Sequence, residues 1–224
     1  MNYSILTQTE LFQGITEEEI LKITQCLCSV EKTYEKGELI YRCGEKVENM
    51  GLVLSGGVII ESDDIWGNCS VIGHIGLGQI FAETYACLGR EQLLVNVFAS
   101  EKTEILFVNA AKLLAVCPNL CAFHQKVVYN LLQISARKNL QLSKRILFTS
   151  PKSLRGKLMS FFSDSVKQTG SYMITVPFNR QQLADYLGVD RSAMCNELSK
   201  MQKDGLLSYH KNTFRLKEMN EKIF

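Results

Sequence analysis

The spacing of hydrophobic residues changes along the chain, and each spacing predicts a different structure. After Thr16, which can form a capping box with Glu19, apolar residues recur at helical spacing and predict a short N-terminal helix. From Val30 to Val108, short β-rich runs are separated by turn residues, which is typical of an antiparallel sandwich or barrel. From Pro118 to Phe148 the helical spacing returns and predicts one long helix. This order of elements indicates an α+β protein.

Two short helices separated by only three residues are predicted in the C-terminal third. Asn179 can cap the first helix, with Gln182 completing a capping box, and Gly188 supplies the left-handed residue that ends it. Asp190 can cap a second helix that begins at Arg191. This spacing predicts a helix-turn-helix, whose second helix can enter the major groove of DNA.

A β-hairpin is predicted directly after the second helix. The segment that follows Gly205, LLSYHKNTFRL, has β-rich residues on both sides of a polar His210-Lys211-Asn212 turn. An ordinary helical hairpin without DNA contacts is the alternative, but a helix pair followed by a hairpin wing is a narrower pattern. We therefore predict a winged helix-turn-helix.

The exposed face of the second helix carries short polar and basic groups that suit phosphates and base edges. Base-edge contacts are predicted for Arg191, Ser192, Cys195 and Asn196, and phosphate contacts for Gln181, Lys200 and Lys211. Double-stranded DNA is therefore the predicted partner.

The long helix carries an apolar seam with alternating three- and four-residue spacing. Its members are Leu120, Phe123, Val127, Leu131 and Ile134, and they predict a parallel homodimer. Val128 and Leu132 lie beside the seam and are predicted to pack on the β-domain. A core helix without a partner is the alternative, because the seam becomes polar after about two heptads.

The C-terminal third is more basic than the rest of the chain. Residues 151–224 contain 12 Lys and Arg against 7 Asp and Glu, whereas residues 1–150 contain 13 against 16. The formal net charge of the 224 residues is only +2. Such asymmetry is expected when one domain binds a polyanion.

The cysteines and the termini bear on the cellular compartment. The eight cysteines contain no C-x-x-C pair, and the first residues include no apolar signal segment. We therefore expect reduced thiols and a cytoplasmic protein. No apolar run approaches the ~20 residues that span a bilayer, so no membrane partner is expected.

The sequence contains no recognisable arrangement of catalytic residues. No nucleophile stands at a recognisable spacing from a base, so we predict neither an enzyme nor catalytic residues. The three histidines are scattered, whereas a metal-dependent cupin needs two or three clustered histidines with a carboxylate. No metal site is predicted.

Four local motifs join these elements into one pattern. They are KGELIYRCGE at Lys36 to Glu45, LVLSGGVII at Leu52 to Ile60, GQIFAE at Gly78 to Glu83, and RSAMCNELSKMQKDGLL at Arg191 to Leu207. Together with the order of elements, they make essentially the whole chain resemble the Crp/Fnr family of bacterial transcription regulators. The resemblance implies an antiparallel β-roll (a double-stranded β-helix), a long dimerisation helix and a winged helix-turn-helix.

The resemblance also implies domains and partners. The β-roll is expected to sense an effector over residues 1–117, the dimerisation helix to span 118–148, and the DNA-binding domain to span 149–224. At the last boundary, Ser150 is predicted to cap a new helix that starts with Pro151. The implied assembly is a homodimer on a palindromic operator, with RNA polymerase as a further partner.

The sequence departs from the cyclic-nucleotide-binding members of the family. Those members continue from a Gly-Glu pair to an Arg and a Ser or Thr on the strand behind it. Here Ala82-Glu83 stands for Gly-Glu, and Leu93-Leu94-Val95 falls where the Arg-Ser/Thr-Ala run should be. A cyclic phosphate buried against leucines would lack a charge partner, which costs several kcal/mol. We therefore predict that cyclic AMP is not the effector.

An effector pocket is nevertheless predicted between the β-roll and the long helix. Its residues are Phe81, Ala82, Glu83, Leu93, Leu94, Tyr129 and Gln133. One carboxylate and no cation suit an uncharged apolar or aromatic ligand, or a haem, better than a phosphate. The alternative is an empty, collapsed pocket in a constitutive DNA-binding protein.

The recognition helix departs from the family as well. Asn196 stands where members usually carry Arg, and Cys195 where many carry Ser. Because Asn prefers adenine and Arg prefers guanine, a shifted operator is predicted if Asn196 reaches a base.

Two functional alternatives stay open. One is a haem- or thiol-based sensor of redox state or nitric oxide, with His74 or His124 as the axial ligand of a haem. The other is a cyclic-nucleotide-binding module without specific DNA readout.

Overall fold

The computed structural model describes residues 3–63, 66, 69–115 and 121–218. In chain order its elements are α1 (Tyr3–Thr7), α2 (Glu17–Cys26), β1 (Val30–Tyr34), β2 (Leu39–Tyr41), β3 (Asn49–Ser55), β4 (Val58–Asp63), β5 (Cys69–Ile75), β6 (Ile80–Phe81), α3 (Glu83–Leu88), β7 (Asn96–Ala99), β8 (Thr103–Asn109), α4 (Ala110–Leu114), α5 (Ala122–Thr149), α6 (Leu154–Thr169), β9 (Met173–Thr175), α7 (Arg180–Leu187), α8 (Arg191–Lys203), β10 (Leu207–His210) and β11 (Thr213–Leu216). The α+β fold class is confirmed. No described helix combines the length and apolarity that crossing a membrane requires.

Two four-stranded sheets form the N-terminal β-domain, in the orders β1-β8-β3-β6 and β2-β7-β4-β5. Neighbouring strands are antiparallel, as predicted. The central strand β3 is buried from residue 50 to residue 54 because both of its faces are covered. Leu52 and Leu54 pack with the helices, and Val53 packs inside the β-domain. This alternation follows from the two-residue period of a strand.

Helices cover one side of this β-domain. α2 begins with the predicted capping box, in which the Thr16 side chain accepts from the Glu19 amide and the Glu19 carboxylate accepts from the Thr16 amide. Ile20 and Ile23 of α2 share one hydrophobic core with Val127 of α5. The beginning of α5 is therefore part of the β-domain's packing.

The chain divides into two compact units, residues 1–137 and 138–224. α5 crosses this division, whereas the sequence predicted the long helix as a domain of its own over residues 118–148. The reason lies in its two ends: Leu131 belongs to the core of the first unit, and Phe148 belongs to the core of the second.

The break after α5 also differs from the prediction. α6 begins at Leu154, and Ser153 caps it by accepting from the Gly156 amide at 3.0 Å. Ser150 does not cap a new helix, because its hydroxyl donates to the Ile146 carbonyl at the end of α5, 2.6 Å away. The predicted helix start at Pro151 is therefore three residues too early.

The face of α5 predicted as the dimer seam packs inside its own chain. Val127, Leu131 and Ile134 are 0%, 5% and 6% exposed, and Phe123 packs against the same core. A buried side chain has no surface left for a second copy, so the seam prediction is wrong for Val127, Leu131 and Ile134. Phe123 is only partly buried. Leu120 lies outside the described residues.

The opposite face of α5 is apolar and exposed. Val128 packs on the core as predicted, but Leu132 is 64% exposed and points the other way. The large hydrophobic side chains that α5 leaves exposed are Tyr129, Leu132, Leu140, Leu142, Ile146 and Leu147. A helix that is apolar on two faces buries only one of them within one chain.

Candidate nucleic-acid interface

Capping side chains fix the ends of α7 and α8 as the sequence predicts. Asn179 accepts from the Gln182 amide, and the Gln182 side chain accepts from the Asn179 amide, both at 2.9 Å. Gly188 ends α7 in the left-handed region, with φ of 61°. Asp190 then caps α8 by accepting from the Ala193 amide at 2.7 Å. The helix-turn-helix is therefore confirmed.

A small shared core holds the two helices together. Its buried members on α7 and α8 are Leu183, Ala184, Leu187, Met194, Leu198 and Met201. The same cluster includes Phe162 of α6 and Phe214 of β11. The crossing of the two helices is thus set by apolar side chains at helical spacing.

The predicted base-contacting residues lie on the outer side of α8 or at its beginning. Arg191, Ser192 and Asn196 are exposed, and Cys195 is half-buried. Lys200, a predicted phosphate contact on the same helix, is exposed as well. The Ser192 hydroxyl donates to the Asp190 carboxylate, so its orientation is fixed by the helix cap. Exposed donors and acceptors on one helix surface can reach base edges in a major groove.

The Asp190 cap depends on pH in a definite direction. The hydrogen bond from Ser192 and then that from the Ala193 amide lower the pKa of this carboxyl below its ordinary value of 3.8. A lowered pKa in the folded state means that the stabilisation is present above the unfolded pKa and is lost as pH falls through the folded one. At neutral pH the cap therefore contributes fully.

A three-stranded sheet in the order β10-β11-β9 forms the wing. β10 and β11 make the predicted hairpin, with Lys211 at its turn in the left-handed region at φ of 49°. Lys211 is exposed at the turn, and Gln181 is exposed in the first turn of α7. The Gln181 amide donates to the Asp185 carboxylate at 2.8 Å, so part of its hydrogen-bonding capacity is already used.

Arg180 is a further residue of this surface that the sequence analysis missed. Its guanidinium lies 4.9 Å from the ring centre of Tyr209 and 4.8 Å from that of Phe214. It also donates to the Lys211 carbonyl at 2.9 Å. The signal in the sequence was a cation in the first turn of a helix, where the helix dipole disfavours it. Arg180 thus joins the beginning of α7 to the wing.

Two more cations, also missed, hold the other end of α7. Arg145 donates to the carbonyls of Tyr186 and Asp185, each at 3.2 Å, and its guanidinium lies 5.9 Å from the Tyr186 ring centre. Lys157 donates to the Leu187 carbonyl at 3.4 Å. The last carbonyls of a helix lack partners within the helix, and cations stabilise that end. No local sequence signal connects residues that are 30 to 41 positions apart.

The interior of the β-domain holds an aromatic cluster at the predicted effector region. The Phe81 ring makes edge-on contacts with Tyr41 and Phe107, at centre distances of 6.2 and 6.5 Å. The same ring covers Gly51 so closely that a Cβ there would lie 2.2 Å from Cζ of Phe81. Burial raises the pKa of the Tyr41 phenol, whose hydroxyl donates to the Asn49 carbonyl at 2.8 Å.

The other predicted pocket residues do not all face inward. Ala82 adopts the left-handed region at φ of 58° before α3, and Glu83 is buried in the first turn of α3. Leu93 is buried, but Leu94 is 73% exposed and does not line an interior pocket. The expected Leu93-Leu94 strand is instead the loop before β7, where the Leu93 amide and carbonyl bond with Glu45 and Gly44.

Tyr129 and Gln133 lie on the exposed side of α5, one turn apart. The Gln133 amide donates to the Tyr129 hydroxyl at 2.6 Å, and Tyr129 is 60% exposed. Both residues are therefore on the same side of α5 as Leu132. Their predicted place in the wall of an interior pocket is wrong for this chain alone.

His124 and Cys87 are two groups of the kinds that haem- or thiol-based sensing would use. His124 is buried, and its Nε2 lies 2.7 Å from the Leu113 carbonyl oxygen. Burial raises the pKa of the Cys87 thiol, and the nearby Glu83 raises it further. A raised pKa leaves less of the reactive thiolate. Among the residues that the structure describes, no group of three His, Cys, Asp or Glu could hold a metal.

Two domain families match the chain. A cyclic nucleotide-binding domain matches residues 31–119, and a Crp-like helix-turn-helix domain matches residues 156–221. No curated protein sequence matches this chain.

Several solved structures share the fold. CprK complexed with OCPA is 14% identical with a TM-score of 0.63, over 89% of this chain and 91% of that one. The c-di-GMP responsive global regulator CLP of Xanthomonas campestris is 19% identical with a TM-score of 0.55, over 89% and 100%. The Catabolite Activator Protein of Thermus thermophilus is 20% identical with a TM-score of 0.50, over 94% of each chain.

A cyclic nucleotide-binding type of β-domain followed by a DNA-binding helix-turn-helix is the domain pair of a transcription regulator. The chain belongs to the Crp/Fnr family of transcription regulators.

Proposed function

We propose that this chain is a sequence-specific transcription regulator that binds a palindromic operator as a homodimer. The observation that carries the proposal is the exposed polar surface of α8, fixed at its beginning by the Asp190 cap. The wing hairpin that follows α8 in the chain adds an exposed lysine, Lys211, at its turn. Arg191, Ser192, Cys195 and Asn196 would contact bases, and Arg180, Gln181, Lys200 and Lys211 would contact phosphates.

The homodimer is supported by the exposed apolar face of α5. Four residues of this face follow one another at spacings of three, eight and seven residues, which bring them to one side of a helix. They are Tyr129, Leu132, Leu140 and Leu147, and each is at least 58% exposed. Exposed apolar surface of this extent marks an interaction site on a protein that must stay soluble. A second copy in parallel orientation would cover the same residues on both chains, which is the symmetry that a palindromic operator requires.

The effector of this regulator is proposed to be something other than a cyclic nucleotide. The β-domain carries an aromatic cluster of Tyr41, Phe81 and Phe107, and the buried residue Leu93 stands where the cyclic-nucleotide-binding members carry an arginine. A cyclic phosphate there would lose its water without gaining an arginine. An uncharged aromatic or apolar ligand, or a haem, fits these surroundings better, with a constitutive DNA-binding protein as the alternative.

Arg191→Ala tests the DNA-binding proposal. The full-length chain should select a palindrome from a library of random duplexes. The Arg191→Ala variant should then bind the selected operator about 5- to 150-fold more weakly, because a bidentate contact to a base is worth about 1–3 kcal/mol.

Lys203→Ala is the matched control, since Lys203 is an exposed cation on the same helix outside the proposed contact set. Its affinity for the operator should stay within a few-fold of wild type. Failure to enrich any palindrome would overturn the proposed function, and equal binding by Arg191→Ala and wild type would overturn the role of Arg191.

Calorimetric titration tests the effector proposal. Cyclic AMP and cyclic GMP are each expected to give no saturable heat with the full-length chain, because the phosphate has no cation to replace its water. A dissociation constant in the low micromolar range that Glu83→Ala abolishes would contradict the proposal. The absorption spectrum of the same sample would reveal a co-purified haem.

A further inference from the structure

One arginine outside the helix-turn-helix holds the recognition helix by two ion pairs. Arg155 lies in the first turn of α6, and its Nε donates to Oε1 of Glu197 at 2.6 Å. Its Nη1 lies 2.8 Å from Oδ2 of Asp204. Glu197 is on α8 and Asp204 is its C-terminal cap. Both contacts have the short distances of charge-assisted hydrogen bonds.

The spacing of the two carboxylates determines which motion of α8 this contact opposes. Glu197 and Asp204 are seven residues apart, which is close to two turns of helix, so they lie on one side of α8. That side lies between the buried face with Leu198 and the outer face with Asn196. One rigid guanidinium fork that holds two points on the same side opposes rotation of the helix about its axis.

Glu197 is the more enclosed of the two carboxylates. The Glu197 side chain is 18% exposed, and the side chains of Arg155 and Asp204 are 40% and 48% exposed. Arg155 occupies the beginning of a helix, where a cation is disfavoured by the dipole. Its two carboxylate partners account for its presence there.

We propose that Arg155 is a positioning residue for DNA readout, which sets the rotation of α8 through Glu197 and Asp204 and so aims Arg191 and Asn196 at base edges. The inference rests on the proposed function. It assigns no DNA contact to Arg155 itself. A rotation of α8 misplaces the base contacts, whereas the proposed phosphate contacts Arg180, Gln181 and Lys211 lie on other elements, so specificity falls more than general affinity.

The test compares binding of the selected operator and of a non-specific duplex by the full-length chain. Arg155→Ala should lower affinity for the operator by about tenfold, as expected when one base contact is lost. Affinity for the non-specific duplex and the slope of log K against log salt should stay near wild type. Arg155→Lys should be intermediate, because one ammonium cannot span both carboxylates.

A mutant cycle tests whether Arg155 acts through Glu197 and Asp204. Adding Glu197→Gln and Asp204→Asn to Arg155→Ala should cause little further loss, because the three groups act as one unit. Arg137→Ala is the matched control, since it removes a 2.9 Å ion pair with Glu10 in the other unit. Its operator affinity should equal that of wild type.

Three results would overturn the inference. They are wild-type operator binding by Arg155→Ala, a salt slope reduced by about 1, which marks a lost phosphate contact, or equal losses of affinity for the operator and for the non-specific duplex. The binding assays are run at a temperature where circular dichroism shows each variant folded, so that unfolding does not contribute to the losses. If wild type itself binds no operator, the proposed function fails instead.

Discussion

Leu132→Glu combined with Leu140→Glu is expected to yield a monomer that binds the selected operator about 10²- to 10⁴-fold more weakly than wild type. Both leucines are exposed on the apolar face of α5, at 64% and 58%. In a parallel dimer each glutamate would face its own copy, so like charges would meet where apolar contact is lost. A monomer engages one half-site and loses the gain from linking two binding modules.

Gln141→Glu is the control for this prediction. Position 141 is exposed on α5, and its helical position places it on a different side from Leu132 and Leu140. The substitution introduces the same kind of charge there. Sedimentation equilibrium should show a dimer for wild type and for Gln141→Glu, and a monomer for the double variant. A double variant that remains dimeric at micromolar concentration would place the interface on another surface.

The helix-turn-helix was predictable because its signals are local. Each signal involves backbone groups within four residues of it, so the sequence alone indicates where the helices begin and end. The signals are the Asn179–Gln182 capping box, Gly188 and Asp190. The hydrophobic spacing on α7 and α8 then leaves one face for the core. The buried residues of that core recur at helical spacing on both helices.

The face of α5 that packs inside the chain was not predictable, because α5 is apolar on two sides. Periodicity shows that Leu131 and Leu132 lie on different faces, but it does not show which face meets the β-domain. That choice depends on the shape of the surface formed by Ile20, Leu52 and other residues distant in sequence. In the structure the face with Leu131 is buried against the β-domain, and the face with Leu132 is exposed.

The cations that hold α7 and α8 illustrate a second limit. Arg155 and Glu197 are 42 residues apart, and Arg145 and Tyr186 are 41 apart. Contacts of an arginine with a carboxylate or a carbonyl at such separation leave no local pattern in the sequence. A cation in the first turn of a helix was the available signal for Arg155 and Arg180, because the dipole disfavours it there.

Phe162→Ala is expected to destabilise the DNA-binding unit by about 3–5 kcal/mol, the usual cost of truncating a buried aromatic residue. Phe162 is 0% exposed, and its ring centre lies 4.7 Å from that of Phe214 and 5.7 Å from that of Phe161. The truncation would leave a cavity between α6 and the wing sheet. Since a typical domain is stable by only 5–15 kcal/mol, this is a large part of the total.

The loss should be confined to one unit, because Phe162 belongs to the core of residues 138–224 and not to that of residues 1–137. Hydrogen exchange read by peptide should therefore accelerate in α6, α7 and α8, while β3 and β8 keep their wild-type protection. Tyr172→Ala is the matched control, since Tyr172 is an aromatic residue of the same unit that is 38% exposed. It should change stability by less than about 1 kcal/mol. Equal acceleration in β3 and β8 would mean that the two units unfold together, and operator binding would then report on the stability of the whole chain.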